Sequence, residues 1–189
     1  MGNIVSIFND VIGPIMTGPS SSHTAACARI GLMTRYLYGK EIYNAEIVFD
    51  KNGSYPSTYI GQGSNYGFTG GLLGYPPESP NLKDSVKIAK NLGRKIIFKK
   101  GDLGGIHPNS ARINILGKNG SLEMSVMTYS VGGGMFEINL LDEFPVLIQG
   151  EKRKIFILCK RGNIESKIMA KLNNVNYSTI TTEDRIFFN

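Results

Sequence analysis

Apolar residues at helical spacing occur in the first half of the chain. The clearest set is separated by four, three and four residues and consists of Ala26, Ile30, Met33 and Leu37. This spacing places the four side chains on one face of a helix, which we predict from His23 to Tyr38. Gly39 follows, as is typical of the residue just beyond a helix C-terminus.

Two further helices are predicted, one on each side of the first. Apolar residues at Val5, Phe8 and Val11 predict a short helix over Val5–Val11, which Gly13-Pro14 ends. The second contains Leu82, Val86 and Ala89 at similar spacing. It should begin at Ser79-Pro80, where serine caps the helix and proline fits its first turn, and end at Gly93.

Strand patterns dominate the second half of the chain. One strand, AEIVFD, precedes the helix that follows Ser79, and four more come after it: KIIFKK, ARINILG, EMSVMTYSVGG and MFEINLLD. The sequence GKNGS between the second and third of these four is typical of a hairpin turn. Helices first and hairpin-linked strands later predict an α+β domain, with helices packed on a mixed or antiparallel sheet.

The composition changes near Phe144. The residues beyond it have a strand–helix–strand pattern, a βαβ-like tail of about forty residues that is small for independent stability. We therefore predict two domains, residues 1–149 and 150–189, with the tail packed on the first domain or on a partner. Exposed strand edges in such a tail would also allow two copies of the chain to form a homodimer.

Composition and charge narrow the function classes. The chain has 189 residues, of which 41% are hydrophobic and 19% charged, as is usual for a soluble globular protein. The net charge is +6, but the basic residues come in short strand-like pieces without a nucleic-acid motif, so no nucleic-acid partner is predicted. The first residues match neither a signal peptide nor a membrane span, and we expect a cytoplasmic protein without a membrane partner.

The stretch TGPSSSHTA, residues Thr17–Ala25, places three serines and His23 at the start of the first predicted helix. Free N–H groups and the positive end of the helix dipole attract anions there, so hydroxyls and amides would bind a carboxylate or phosphate. The imidazole could exchange a proton. The alternative is a heavily capped helix start with an exposed histidine, and the spacing alone leaves both interpretations open.

Three other segments carry small polar residues and glycines. In IHPNSARI, proline keeps His107 extended, and a structural loop histidine is the simpler explanation of that residue alone. In SVGGGMFEI, Gly132–Gly134 form either a bulge that lets a ligand approach the backbone or a flexible hairpin. The third segment, GSYPSTYIGQGSNYGFTGG, offers hydroxyls and backbone amides. Together these segments predict a polar, glycine-lined pocket with two histidines.

The chain resembles the beta chain of iron–sulfur-dependent L-serine dehydratases over roughly Ile7–Ile148. The blocks that carry the resemblance occur in the family's order: IGPIMTGPSSSHTAACARIG, NGSYPSTY, GQGSN with GGLLG, IHPNSARI and SVGGGMFEI. The segment Ser20–Thr24 is the most characteristic. The resemblance implies a fold like the allosteric substrate-binding domain of certain phosphoglycerate dehydrogenases, and a tail similar to the first part of an ACT domain.

The resemblance also implies an activity, a cofactor and a partner. An alpha chain would hold a [4Fe–4S] cluster that acts on L-serine, and the products would be pyruvate and ammonia. Cys27 and Cys159 have no CxxC spacing and cannot hold a cluster alone, which agrees with cluster ligation by the alpha chain and with no metal ligand here.

The family's site residues transfer to the matching positions of this sequence. His23 is the candidate catalytic residue. The candidate substrate-binding residues are Ser20, Ser21, Ser22, Thr24, Gln62, Ser64, Asn65, His107, Asn109, Gly132, Gly133 and Gly134.

One block departs from the family pattern. Gln62, Ser64 and Asn65 stand where the family usually has His, Thr and Asp. Glutamine can form hydrogen bonds but cannot exchange a proton near pH 7, and asparagine lacks the charge of aspartate. The alternative function is therefore a non-catalytic module, diverged from the subunit, that senses an amino acid or a hydroxy acid.

Overall fold

The computed structural model describes residues 13–149, 157–160, 162–172, 179–181 and 185–188. These residues fall into two compact units, 13–142 with 146–149, and 143–145 with the described residues after 156. The helix predicted over Val5–Val11 lies outside the described residues. The assignment of 1–149 and 150–189 as two domains with separate roles stays a prediction.

The elements of the first part of the chain alternate between helices and strands before a run of strands. In order they are a π-helical turn Ser21–Ala25, α1 Ala26–Tyr38, β1 Asn44–Asp50, α2 Tyr55–Thr58, α3 Ser64–Leu73, a 3₁₀ turn Pro80–Leu82, α4 Ser85–Asn91, β2 Lys95–Gly101, β3 Ser110–Leu116, β4 Leu122–Gly132, β5 Met135–Leu141 and β6 Phe144–Ile148.

Six strands form one mixed sheet in the order β2-β1-β3-β4-β5-β6. Strand β1 pairs parallel with β2 and antiparallel with β3, where Ile47 lies opposite Ile113. The β3–β4 and β4–β5 pairs are antiparallel. The predicted α+β fold with a mixed sheet is confirmed. Buried and less buried residues alternate along most of β1, β3 and β5, and this period of two made these strands predictable from the sequence.

Helices α1 and α3 pack closely against each other because three glycines line their contact. A Cβ atom on Gly31 would lie 2.7 Å from the Phe68 carbonyl oxygen, and one on Gly67 would lie 2.6 Å from the Thr24 carbonyl oxygen. A Cβ on Gly71 would overlap the Ala28 carbonyl oxygen. The two backbones can approach this closely only while these positions lack side chains.

Two helical predictions need correction. The segment from Ser79 to Gly93 is not one helix, because Asp84 has φ −93° and ψ 1° and separates a 3₁₀ turn from α4. The glycine-rich segment after β1, in which no helix was predicted, contains α2 and α3. Glycine is a poor helix former, so composition hid a helix that tertiary packing against α1 stabilises.

The described tail contains β7 Ile157–Lys160, α5 Asn163–Lys171, β8 Thr179–Thr181 and β9 Arg185–Phe188. Its three strands form a separate antiparallel sheet in the order β7-β9-β8. The tail therefore has one strand more than the predicted strand–helix–strand pattern. In the part of the chain that the structure describes, no helix is both long and apolar enough to cross a bilayer.

Candidate functional site

The hydroxyl-rich stretch before α1 forms a widened helical turn. Ser20 is its N-cap, with extended backbone at φ −142° and ψ 124°, and its Oγ accepts a hydrogen bond from the His23 N–H at 3.2 Å. The Ser20 carbonyl oxygen accepts from both Thr24 N, at 2.7 Å, and Ala25 N, at 3.3 Å. The helix thus begins at Ser21, ahead of the predicted His23. Single π-helical turns of this kind are frequent at functional sites.

The His23 imidazole is buried inside this turn, with 7% of the residue exposed. Its Nδ1 lies 3.0 Å from Ser22 Oγ and 3.4 Å from Ser20 Oγ. Its Nε2 is buried and forms no hydrogen bond. Burial lowers the pKa of His23 below its ordinary value of 6.5, so the ring is neutral at pH 7. The interpretation of an exposed capping histidine is therefore wrong.

Tyr55, at the start of α2, holds the other side of the His23 ring. The two rings meet edge to face with centroids 5.2 Å apart, and Tyr55 is fully buried. Its hydroxyl accepts a hydrogen bond from Cys27 Sγ at 3.4 Å. Burial raises the pKa of the Cys27 thiol to about 12, so it stays protonated at neutral pH and acts as a packed, unreactive group.

The segment Gln62–Asn65, which departs from the family pattern, lies directly beside the turn Ser20–Thr24, which we call the Ser/His turn. Thr24 Oγ1 donates a hydrogen bond to the Gln62 carbonyl oxygen at 2.8 Å. The Ser64 hydroxyl is buried at the start of α3 beside the Cys27 thiol, and the buried Asn65 side-chain oxygen has no hydrogen-bond partner. Unpartnered buried polar atoms are costly, on the order of 1–3 kcal/mol each, and so they indicate a place where a ligand can supply the missing hydrogen bond.

The second histidine lies on a turn that is joined to the first site through Ser54. The Asn109 side chain hydrogen-bonds to Ser54 Oγ, and the Ser54 N–H donates to the Pro108 carbonyl oxygen at 2.7 Å. The ring of His107 stacks on Tyr129 at 5.1 Å. Its Nδ1 accepts from the Asn109 N–H at 3.1 Å, so a neutral His107 carries its proton on Nε2.

The three glycines from the last residue of β4 to the start of β5 all have positive φ, at 99°, 58° and 81° for Gly132, Gly133 and Gly134. A Cβ on Gly134 would lie 2.8 Å from the Pro14 ring and 3.6 Å from the Ala25 Cβ. Arg29 Nη1 donates to the Gly134 carbonyl oxygen at 3.0 Å. This turn therefore packs against Pro14 and the first part of α1, and the approach of a ligand to its backbone stays a prediction.

The structure brings the predicted residues into one connected region. Ser20–Thr24 contact the Gln62 segment directly, and the glycine turn packs against Ala25. Among the described residues, no hydrogen bond or ring contact joins the two imidazoles, which are linked through Tyr55, Ser54 and Asn109. Sequence reasoning did not single out Tyr55 or Ser54, although both lie in the NGSYPSTY block.

The donor set does not form a metal centre. Within the ranges that the structure describes, no three His, Cys, Asp or Glu side chains converge on a point where an ion could bind. Cys27 is protonated and lies in the first unit, while Cys159 lies in the tail on β7. The described residues of this chain therefore do not fit a [4Fe–4S] cluster.

Comparison with known proteins gives two relatives that cover most of the chain. No family model matches. One relative is a probable L-serine dehydratase beta chain from Bacillus subtilis (strain 168). It is 37% identical over 184 residues, which cover 95% of this chain and 81% of the relative. The L-serine dehydratase beta chain of Peptoniphilus asaccharolyticus is 36% identical over 191 residues, covering 92% of this chain and 85% of the relative. At this identity and coverage, the chain belongs to the L-serine dehydratase beta-chain family.

Proposed function

We propose that this chain is the beta subunit of an L-serine dehydratase and that, together with an alpha chain, it converts L-serine to pyruvate and ammonia in the cytoplasm. The observation that carries the proposal is the Ser20–Thr24 turn, in which the buried His23 Nε2 has no partner at the start of a long helix. The alpha chain would supply the [4Fe–4S] cluster, as the family resemblance implies.

The turn offers one set of groups to bind the carboxylate of L-serine and another group to exchange a proton with the substrate. The hydroxyls of Ser20, Ser21 and Ser22 and the N–H groups of the first helical turn suit the substrate carboxylate. His23 is the proposed acid/base. If its Nδ1–H donates to Ser22 Oγ, its neutral Nε2 is the acceptor for a substrate proton. Because Nε2 is buried, the substrate reaches it after a local opening of the π-helical turn.

The neighbouring segments complete the proposed pocket. Thr24, Gln62, Ser64 and Asn65 lie on one side of it, where the buried Asn65 side-chain oxygen lacks a hydrogen bond. His107 and Asn109 support the side formed by Ser54. Gly132, Gly133 and Gly134 let the backbone approach the same region.

Exposed apolar side chains support contact between this face and the alpha chain. Four of them directly flank the site segments: Ile15 is 86% exposed, Ile60 66%, Ile106 66% and Val131 47%. Ile106 precedes His107, and Val131 precedes Gly132. Large apolar side chains that surround a polar site are typical of a surface that another protein covers.

The test is anaerobic co-expression with the alpha chain, followed by an assay of pyruvate formation from L-serine. We expect activity in the wild-type complex and a loss of at least about a hundredfold in His23→Ala, because a general acid/base typically contributes about 10²–10⁴-fold. Tyr36→Ala, at an exposed position on α1, is the matched control and should retain activity. Both variants must still assemble with the alpha chain, as judged by size-exclusion chromatography.

Two outcomes would contradict the proposal. A cluster-loaded complex with no activity toward L-serine would refute the dehydratase function, and full activity in His23→Ala would refute the role of His23. The sensing alternative is favoured by the loss of titratable groups at Gln62 and Asn65. It predicts an inactive complex that binds L-serine, and restoration of activity by Gln62→His with Asn65→Asp.

A further inference from the structure

A basic cavity lies between α4, α3 and the start of β2, and none of its residues belongs to the Ser/His site. Its volume is about 570 Å³, within the usual range for a small-molecule pocket. Five of its lining residues are cationic: Lys83, Lys87, Lys90, Arg94 and Lys95. Asp84 is the acidic residue in the same lining. The lining therefore carries a large excess of positive charge, and an anion is the chemically matched occupant.

The charges of four of these residues are not neutralised by the fold. Arg94 is paired with Glu41 and donates to the Ile42 carbonyl oxygen at 3.0 Å. Lys83, Lys87, Lys90 and Lys95, by contrast, form no ion pair with any residue that the structure describes. Lys87 and Lys90 are three residues apart on α4, which brings two like charges onto one face, where they repel each other.

Thr69 supplies a second, independent sign of a ligand. It lines the cavity from α3, only 1% of the residue is exposed, and its Oγ1 is buried without a hydrogen-bond partner. The position of α3 against α4 is fixed nearby, because buried Ser85 donates a hydrogen bond to the Tyr66 carbonyl oxygen at 2.7 Å. Thr69 is a lining residue, and its unpartnered hydroxyl is a candidate donor to an oxyanion in a cavity lined with ammonium groups.

We propose that this cavity binds the phosphate group of a small molecule. A phosphate presents several acceptor oxygens and up to two negative charges, so it can accept hydrogen bonds from several lysines and from Thr69 at once. A single carboxylate would satisfy fewer of these donors. The volume of about 570 Å³ matches a small phosphorylated compound better than a nucleic-acid strand.

The experiment is isothermal titration calorimetry of the purified full chain with inorganic phosphate, with ionic strength held constant by sodium chloride. We expect saturable binding. Lys83→Gln, Lys87→Gln and Lys90→Gln combined should raise the dissociation constant about tenfold or more, because each removes a charged hydrogen-bond donor. Thr69→Val leaves the net charge unchanged and should raise it severalfold.

The matched control combines Lys51→Gln, Lys99→Gln and Lys100→Gln, three exposed lysines outside the cavity with the same total charge. This variant should bind phosphate within about twofold of wild type, since exposed charges at a distance contribute little. Equal weakening in both triple variants, or no saturable binding in the wild-type chain, would overturn the proposal. Tighter binding of a single-stranded oligonucleotide, weakened equally in both triple variants, would instead indicate a nucleic-acid surface and would also overturn it.

Discussion

The two ring nitrogens of His23 have different environments. Its Nδ1 is close to two serine hydroxyls, whereas its Nε2 is buried without any partner. A ligand or a shift of the turn would therefore change the hydrogen bonding of one ring nitrogen more than that of the other. The protonation state of the His23 ring can be measured separately from that of the other histidine.

We expect the midpoint of His23 titration in the folded chain to lie below 6.5, because burial disfavours the charged imidazolium. The measurement is an NMR titration of the two histidine rings, with His107→Gln used to assign the signals. The unfolded chain then binds more protons than the folded chain. The free energy of unfolding that is linked to His23 is therefore greatest above pH 6.5, where the ring is neutral in both states. It decreases as the pH falls from 6.5 toward the lowered pKa, because the unfolded chain takes up the proton first. A midpoint at or above 6.5 would contradict the buried environment.

At the scale of elements, the contact between α1 and α3 determines how the site is held. Helix α1 follows directly from the Ser/His turn, while α3 begins with Ser64 and Asn65, so the spacing of the two helices sets the distance between these groups. Gly71 lies where a Cβ would overlap the Ala28 carbonyl oxygen and come within 2.7 Å of Leu32 N. The close contact leaves no room for a methyl group.

Gly71→Ala should therefore lower the free energy of unfolding by about 1–2 kcal/mol, because overpacking outweighs the gain in helix propensity. Gly61→Ala is the control, since the nearest atom to its Cβ would be the Thr58 carbonyl oxygen at 4.0 Å. That change should stay within about 0.5 kcal/mol. Urea denaturation gives both values, and an increase in stability for Gly71→Ala would contradict the packing argument.

The packing of the helices and strands explains which of them could be predicted from the sequence and which could not. Strands β1 and β3 were predictable because alternate residues are buried, and α1 because Ala26 and Ile30 lie on its buried face. Helix α3 was not, because its glycines are needed for contact with a helix that is distant in the chain. The Ser/His turn could be identified in the sequence as a candidate site, whereas its contact with Tyr55 depends on long-range packing that residue spacing does not contain.

On the scale of the whole molecule, Asp50 connects distant parts of the first unit. It ends β1, is buried, and was not singled out in the sequence. Its Oδ1 accepts from Asn52 N at 2.9 Å, and its Oδ2 accepts from Gly105 N at 2.9 Å and from Leu103 N at 3.3 Å. One carboxylate thus holds the loop that leads toward α2 and the loop that leads toward His107.

These backbone hydrogen bonds, chiefly from Asn52 and Gly105, hold the pKa of Asp50 below its ordinary value of 3.8. The folded state therefore binds fewer protons than the unfolded state in this range. The stabilisation is complete above pH 3.8 and is lost as the pH falls through the lowered pKa, below the range in which His23 acts. Asp50→Asn should be less stable than wild type at pH 7, because an amide keeps one acceptor oxygen and turns an NH₂ group toward backbone donors.

The difference between Asp50→Asn and wild type should shrink as the pH falls below 3.8, since wild-type Asp50 also loses its charge there. Urea denaturation at neutral and acidic pH measures it, with Glu78→Gln, an exposed carboxyl, as the control. A difference that stays constant with pH would mean that the shape of the side chain, and not its charge, holds the two loops. A difference that shrinks would show that the charge of Asp50 determines how far the pH can fall before the loop leading to α2 and the loop leading to His107 lose this stabilisation.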